Sequence, residues 1–258
     1  MGRLSHAHRH LVIKDDEVAL TPAEQLYNYF VTQEAWDGVY STLHPETLIK
    51  TQDTSTQAAV GEDVQQWNSL TGSFTINYSG GGLSAPGRTA DGVYFDGAEA
   101  LQIGGVGDGL VFSFICVFTF DNQGADVIQA LYEYGDGFAD HGFQLRTDTG
   151  PVLQAEKEGS SLVTSEYSGS FMDGVQRVYG HSAPDTGTQY LVINGTSQDP
   201  QTVTSNTRTL STYRLGGLLA VPTAPAIGTF KFAAFKKSAV TLAKMQEATT
   251  LLSTLFPA

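Results

Sequence analysis

The sequence has little cysteine and no long apolar run. Its 258 residues include one cysteine, Cys116, so no disulfide can form within the chain. This thiol lies in the most apolar segment, where we expect a small core side chain. No segment approaches the ~20 apolar residues that a membrane span requires, and the first residues lack the apolar stretch of a signal peptide. We therefore expect a soluble protein without membrane contact or an export route of its own.

Basic residues are also scarce. The chain has 14 lysines and arginines against 27 aspartates and glutamates, which gives a formal net charge of -13. A surface with this balance repels the phosphates of nucleic acids, so binding to DNA or RNA is excluded on electrostatic grounds. Neutral glycans, cations and basic protein surfaces are the classes of partner that remain.

The composition favours short strands. Charged residues make up only 16% of the chain, whereas it has 28 glycines and 10% aromatic side chains. Many glycines together with aromatic residues are typical of strands that are joined by tight turns. All-β sandwiches of this length are commonly one domain. We therefore predict one main domain of this class.

The segment from Gly92 to Phe120 defines the predicted sheets best. It contains a strand at Val93–Phe95, a second strand at Leu101–Ile103, and an apolar run from Leu110 to Phe120. The last run is apolar on both faces, so we expect it in the middle of a sheet that is covered on both sides. The sequence therefore predicts an all-β, antiparallel, two-sheet sandwich.

Two segments predict helices at the ends of this sandwich. Thr21, Pro22 and Glu24 have the spacing of a capping box with proline at the first helical position, which indicates a helix from about Pro22 to Thr32. From Thr241 to Leu255, apolar side chains recur on one helical face. We therefore expect a short N-terminal helix and an amphipathic C-terminal helix.

Short motifs between residues 36 and 256 follow the order of a known family. In chain order they are Trp36-Asp37, Val64-Gln65-Gln66-Trp67-Asn68, Phe95-Asp96-Gly97, Tyr190-Leu191-Val192-Ile193-Asn194-Gly195 and Arg214-Leu215-Gly216-Gly217. This order resembles that of the concanavalin A-like, or laminin G-like, jelly-roll domains of phage and bacterial surface proteins. The resemblance implies a jelly-roll sandwich with the concanavalin A-like lectin fold.

Several of these residues have a purely structural interpretation. Asp96-Gly97 and Asn194-Gly195 tolerate the positive φ that a hairpin turn needs, so we interpret both pairs as turns. Trp36 and Trp67 are large aromatic residues, which are mostly buried. We expect both tryptophans to pack in the core or at its edge, and not to serve as sugar platforms.

The best candidate for a ligand site is a glycine-punctuated stretch in the middle of the chain. Tyr132, Tyr134, Asp136, Asp140 and His141 lie within ten residues. Hydroxylated aromatic rings beside carboxylates suit stacking and hydrogen bonding to a sugar, and the two aspartates could bind calcium. The stretch lacks the regular oxygen spacing of a calcium loop, and a solvated connection between strands is the alternative. No other cofactor is expected.

Catalytic motifs are missing from the sequence. Sandwiches of this type include glycan hydrolases, but the required strand of closely spaced acids is not found. Glu133 and Asp136 would point to opposite faces, and Glu156 with Glu158 has no third acid, so a solvated edge is the plain interpretation there. His181 could pair with Asp185, and His141 with Asp140, but sequence proximity does not show a triad. We therefore predict that the chain is not an enzyme.

The first 35 residues are interpreted as an attachment segment, followed by the sandwich domain over residues 36–258. His6, His8 and His10 alternate, and Leu11 and Ile13 belong to the one short apolar strip. Alternate histidines could bind a metal, but no third kind of ligand accompanies them. A solvated arm or an arm in contact with a partner protein is therefore favoured over a metal site.

These features together suggest a bacteriophage virion structural protein. Such a protein folds in the host cytoplasm, needs no secretion signal, and joins a docking segment to an outward β domain. The expected position is on the head surface, as a decoration or fibre, or in the tail. Its partners would be other virion proteins and host surface glycans, in a multi-copy or homo-oligomeric assembly. The alternatives are a bacterial extracellular carbohydrate-binding module and, less favoured, a glycan hydrolase.

Overall fold

The structure is a computed structural model that describes residues 19–50, 56–78, 84–106, 111–121, 129–135, 143–148, 152–158, 162–205, 212–217 and 226–258. In chain order its elements are α1 (Pro22–Tyr27), a π-helical turn (Asn28–Gln33), β1 (Gly38–Ser41), a 3-10 turn (Pro45–Thr47), β2 (Leu48–Ile49), β3 (Gln66–Asn68), β4 (Thr75–Tyr78), β5 (Gly87–Arg88), β6 (Val93–Asp96), β7 (Leu101–Ile103), β8 (Phe112–Phe120), β9 (Ala130–Gly135), β10 (Phe143–Asp148), β11 (Val152–Glu158), β12 (Leu162–Tyr167), β13 (Arg177–Ala183), β14 (Gly187–Ile193), β15 (Thr196–Val203), β16 (Thr212–Leu215), β17 (Ile227–Lys236) and α2 (Leu242–Leu255).

The strands form two antiparallel sheets. The eight-stranded sheet has the order β15-β14-β13-β8-β17-β6-β5, and β1 pairs with β17. The nine-stranded sheet has the order β12-β11-β10-β9-β16-β7-β4-β3-β2. The predicted fold class, an antiparallel two-sheet jelly-roll sandwich with one helix near each end of the described chain, is therefore confirmed.

The main core lies between the two sheets and is rich in aromatic rings. Phe112 and Phe114 project inward from β8 and meet Tyr134 and Tyr132 of the opposite sheet, with ring centroids 4.7 and 4.1 Å apart. Cys116 follows on the same face and is fully buried. Strand β8 lies between β13 and β17. Its predicted position in the middle of a covered sheet is confirmed.

A second apolar cluster covers the outer face of the eight-stranded sheet. Leu26 and Phe30 from the N-terminal helical segment pack there with Met245 and Leu252 of α2. The ring of Phe30 lies 4.8 Å from that of Phe232 on β17. The predicted domain boundary after residue 35 divides this cluster. Because its apolar face is buried against the sheet, the N-terminal helical segment is part of the sandwich.

Both predicted helices are present, although the first is an α-helix only over Pro22–Tyr27 and continues as a π-helical turn over Asn28–Gln33. The Thr21 side chain accepts a hydrogen bond from Glu24 N, and Glu24 in turn accepts one from Thr21 N at 2.8 Å, so the capping box is present. In α2, Met245 and Leu252 are among the buried residues, as its amphipathic pattern predicts. No helix among the described residues is both long enough and apolar enough to cross a bilayer.

The predicted turns and tryptophans also take their expected places. Asn194 and Gly195 both have positive φ, 47° and 82°, and connect β14 to β15. Gly97 has φ 98° at the turn after β6. Trp36 and Trp67 are 3% and 0% exposed, so both are packing residues.

Candidate functional site

A continuous row of polar positions crosses the nine-stranded sheet. It takes one residue from each of eight consecutive strands, and each residue is directly paired with the next in antiparallel register. We call this set the polar row: Gln66, Asn77, Gln102, Arg214, Glu133, Gln144, Glu156 and Thr164. Directly paired positions of neighbouring strands lie on the same face of a sheet. The polar row therefore belongs to one face.

The polar row lies on the face that points away from the core. Residues alternate along a strand, and the neighbours of the row in sequence are core residues. Trp67, Leu101, Tyr213, Tyr132 and Ala155 are all fully buried between the sheets. The outer face of the eight-stranded sheet, by contrast, is covered by the two helical segments. The two outer faces of the sandwich thus differ, one being apolar and covered and the other polar.

Arg146 and Glu156 form the best-defined pair on the polar face. The Arg146 Nε and Nη2 groups donate to the two carboxylate oxygens of Glu156 at 3.2 and 3.1 Å. The Glu156 side chain is 3% exposed and that of Arg146 is 21% exposed. Strand β11 lies between β10 and β12, so Glu156 is in the interior of the sheet. The interpretation of this acid as part of a solvated edge is therefore wrong.

Arg214 occupies the middle of the polar row. Its Nη2 group donates to Gln102 Oε1 at 2.8 Å, and it is paired in register with Glu133, which is 1% exposed. Burial lowers the pKa of Arg214, and the charge of Glu133 opposes that shift. The guanidinium is thus held between an amide on one side and a carboxylate on the other.

Gln154 lies beside the polar row and has an unused acceptor. Its Nε2 group donates to Glu166 Oε1 at 2.9 Å on the adjacent strand. Its Oε1 atom is buried and has no hydrogen-bond donor, while the whole residue is 8% exposed. A buried acceptor without a donor is costly unless another molecule supplies one. Gln154 is therefore a candidate contact for a ligand.

Amides and hydroxyls continue the polar face toward β3 and β4. Gln66 Nε2 donates to Asn68 Oδ1 at 2.6 Å, and Thr75 Oγ1 donates to the same oxygen at 3.2 Å. Asn77 is paired in register with Gln66. These side chains are half-buried, so the polar character of the face extends beyond the two arginines.

The predicted ligand residues fall partly on the wrong face. Tyr132 and Tyr134 are fully buried, and their rings stack on Phe114 and Phe112 in the main core. They cannot stack on a sugar, because alternation along β9 turns these rings inward and turns Glu133 outward. Asp136, Asp140 and His141, including the two candidate calcium ligands, lie outside the described residues. So do His6, His8, His10, Leu11 and Ile13 of the predicted attachment segment.

Within the described ranges, no group of three or more histidine, cysteine, aspartate or glutamate side chains is placed to hold a metal ion.

His181 belongs to a buried hydrogen-bond network in which its two ring nitrogens bond to Tyr132 and Gln189, and not to Asp185. One ring nitrogen, Nδ1, bonds to the Tyr132 hydroxyl, and Nε2 lies 3.2 Å from Gln189 Oε1. Gln189 Nε2 donates to Ala155 O at 2.8 Å, which leaves its oxygen for the histidine. His181 Nε2 therefore carries the proton and Nδ1 accepts from Tyr132. Burial lowers the pKa of His181 to about 4, against a smaller effect of the Gln189 hydrogen bond.

The fold of this chain is similar to solved structures. No protein-family model and no curated protein sequence matches it. Trypanosoma rangeli sialidase in complex with 2,3-difluoro-KDN matches with a TM-score of 0.60 and 13% sequence identity, over 87% of this chain and 33% of that chain. Domain 4 of AbnA, a GH43 extracellular arabinanase from Geobacillus stearothermophilus, in complex with arabinotriose, matches with a TM-score of 0.51 and 12% identity, over 83% of this chain and 98% of that chain.

A third similar structure is the CBM40 of Ruminococcus gnavus IT-sialidase bound to alpha2,3 sialyllactose, with a TM-score of 0.45 and 14% identity, over 62% of this chain and 96% of that chain. The chain spans 33% of the length of the sialidase chain that it matches. At the identities of the sialidase and of the arabinanase domain, the likeness shows the β-sandwich fold alone.

Proposed function

We propose that this chain is a non-catalytic carbohydrate-binding domain whose binding surface is the polar row together with Arg146 and Gln154. The observation that carries the proposal is the polar row itself, whose described side chains bring amide, guanidinium, carboxylate and hydroxyl groups together in register on one face of the sheet. Such groups offer donors and acceptors in fixed pairs. Neighbouring hydroxyls of a sugar, each both donor and acceptor, are suited to these pairs.

The hydrogen bonds on the polar face favour binding because they fix the side chains in advance. Arg146 uses two N–H groups on Glu156, which leaves three of the five guanidinium donors for other acceptors. A side chain that is already ordered loses little further freedom when a ligand arrives. Arg146 and Gln102 are thus suited to direct contact, Arg146 being fixed by Glu156 and Gln102 by Arg214.

The burial of these acids also favours binding over hydrolysis. Most glycan hydrolases use two carboxyl groups that flank the scissile bond and reach it. Glu133 and Glu156 are 1% and 2% exposed, and each is placed next to an arginine. We assign them the role of holding the arginines. The proteins of similar fold add support for a carbohydrate ligand, since the arabinanase domain was solved with arabinotriose.

We propose a bacteriophage virion as the setting in which this domain acts, with His6, His8, His10, Leu11 and Ile13 of the N-terminal segment contacting neighbouring virion proteins. Its support is the resemblance of residues 36–256 to phage-borne domains and the histidine-bearing segment before α1. A bacterial extracellular carbohydrate-binding module would use the same binding face. Mass spectrometry of purified phage particles and of particle-free culture supernatant separates the two settings, because a virion protein is enriched in the particles.

Binding is tested with the full chain on a glycan array, followed by isothermal titration calorimetry of each glycan that binds. The test variant combines Arg146→Met with Glu156→Gln, so that no unpaired buried charge is left behind. Ser253→Ala, on the exposed surface of α2, is the matched control. We expect at least a tenfold loss of affinity in the double variant and none in the control. Absence of binding to every glycan on the array by the unmodified chain contradicts the proposal.

A further inference from the structure

We infer that the ligand is an uncharged linear oligosaccharide that lies across the strands, along the polar row, and not a single terminal sugar. This inference rests on the proposed carbohydrate-binding function and specifies its ligand. It follows from the length of the polar row, from the spacing of its hydrogen-bonding clusters, and from the balance of charge on the face.

The polar row is much longer than one sugar. Eight consecutive strands contribute to it, and at a spacing of about 4.8 Å between neighbours the row measures about 34 Å. A pyranose ring is about as wide as one such spacing, so one sugar reaches side chains on no more than two neighbouring strands. Only an extended molecule contacts the whole row.

The hydrogen-bonding groups form three clusters along this length. The first is Gln66 with Asn68 and Thr75, on β3 and β4. The second is Arg214 with Gln102 and Glu133, and the third is Arg146 with Glu156 and Gln154. Gln102 of the second cluster and Gln154 of the third are on strands separated by β16, β9 and β10, a distance of about 19 Å. A ligand that bonds to both amides at once must therefore span several sugar units.

The clearest indication of a ligand is an unsatisfied hydrogen-bond acceptor in the third cluster. Gln154 Oε1 is buried and without a donor, and the residue is more than nine-tenths buried. Its amide cannot be turned over without losing the bond from Nε2 to Glu166. A ligand hydroxyl that donates to Gln154 Oε1 would satisfy this acceptor and place one sugar of the chain beside Arg146.

The charges on the face favour an uncharged chain. Arg214 and Arg146 are matched by Glu133 and Glu156, and Glu166 adds one further negative charge. The whole chain carries a net charge of -13, which repels a polyanion. None of the described side chains of the polar row is aromatic. Hydrogen bonds, and not the stacking of aromatic rings on a sugar, would therefore provide the recognition.

The test is a chain-length series. Arabino-, xylo-, cello- and malto-oligosaccharides of one to six units are titrated calorimetrically into the full chain, and any series that binds is repeated with two variants. Gln102→Ala removes an amide of the second cluster, and Gln154→Ala removes the unsatisfied hydrogen-bond acceptor of the third. Circular dichroism and the thermal midpoint verify that both variants fold, and Ser253→Ala is the control.

We expect affinity to rise at least 100-fold from the disaccharide to the hexasaccharide. Each variant should lower hexasaccharide affinity about tenfold, while the disaccharide is affected by only one of them. Equal affinity for a monosaccharide and a hexasaccharide overturns the inference and leaves the proposed function standing. Failure of all four series and of the glycan array overturns both. Binding confined to anionic glycans on the array overturns the inference alone.

Discussion

Arg146 and Glu156 are joined by two parallel hydrogen bonds of 3.2 and 3.1 Å, with the acid buried and the base partly exposed. This geometry fixes the plane of the guanidinium more firmly than a single bond would. The role of the buried Glu156 is therefore structural, because it holds the partly exposed Arg146 in one orientation on the polar face.

Replacement Glu156→Gln should accordingly destabilise the fold. The amide offers one acceptor oxygen where the carboxylate offers two, and Arg146 loses its counter-charge. Loss of one partner from a buried pair typically costs about 3–5 kcal/mol, and partial exposure of Arg146 reduces our expectation to about 2 kcal/mol. Urea unfolding measures the effect. Glu166→Gln, which keeps the acceptor for Gln154, should change stability by less than about 0.5 kcal/mol; equal stability of the two variants would contradict the assigned role.

Two glycines allow the cost of a steric clash in the core to be separated from the cost of backbone strain. Gly216 and Gly72 both have positive φ, 79° and 73°. A Cβ at Gly216 would overlap the ring of Phe95, whereas a Cβ at Gly72 would meet nothing within 4 Å. Gly72→Ala should therefore cost about 1 kcal/mol from backbone strain alone, and Gly216→Ala about 3 kcal/mol or more. Chemical denaturation of both variants gives the comparison. Similar losses would mean that Phe95 moves aside freely.

The sequence predicted those parts of the fold that depend on local pattern. Three such parts are present in the structure: the long apolar run at β8, the capping box at Thr21 and the Asn194-Gly195 turn. Each of them is specified by a few residues that are adjacent in the sequence. The polar row could not be predicted in this way, because it joins strands such as β9, β16 and β7 that are distant in the chain. Register between such strands is set by the packed core and not by any one segment.

The face on which a side chain lies also depends on more than the local pattern. Alternation at Tyr132-Glu133-Tyr134 indicates two faces, but tyrosine is found both in cores and at binding surfaces. The sequence favours an outward position for both tyrosines, whereas the structure buries them. The useful signal was a single polar residue between apolar ones, which recurs as Leu101-Gln102-Ile103 and Tyr213-Arg214-Leu215. Three such triplets in predicted strands indicate a polar outer face.

The Cys116 thiol should be unreactive in the folded protein. It is fully buried in β8, and burial raises its pKa well above the ordinary value. Thiolate is the reactive form and must also be reached by the reagent. We expect reaction with Ellman's reagent at neutral pH to be at least ~100-fold slower than in urea-unfolded protein. Rapid labelling under native conditions would show that the centre of the sandwich opens readily.

The fold should lose stability in mildly acidic solution because of His181. Its neutral ring accepts the Tyr132 hydroxyl at Nδ1, and protonation would remove that acceptor. Burial lowers the pKa of His181 from 6.5 to about 4. Between these values the unfolded chain binds a proton that the folded protein does not, so stability rises with pH in this window. The contribution of His181 is fully present above pH 6.5 and is lost as the pH falls toward 4, by about 3 kcal/mol in total.

Two measurements test this expectation. Urea unfolding at several pH values should give a steeper loss of stability between pH 6.5 and 4 for the unmodified chain than for His181→Leu, which has no ionisable group at that position. The leucine variant is less stable at neutral pH, since it removes the histidine partner of the Tyr132 hydroxyl and of Gln189 Oε1, so the slopes and not the absolute values are compared. His44→Gln, at a half-buried position, serves as the control and should retain the steep dependence of stability on pH. In NMR spectra of the folded protein the His181 ring should remain neutral at pH 5.5, because burial disfavours the imidazolium and the charge of Lys157 opposes it further. A ring that titrates near 6.5 would contradict the buried network.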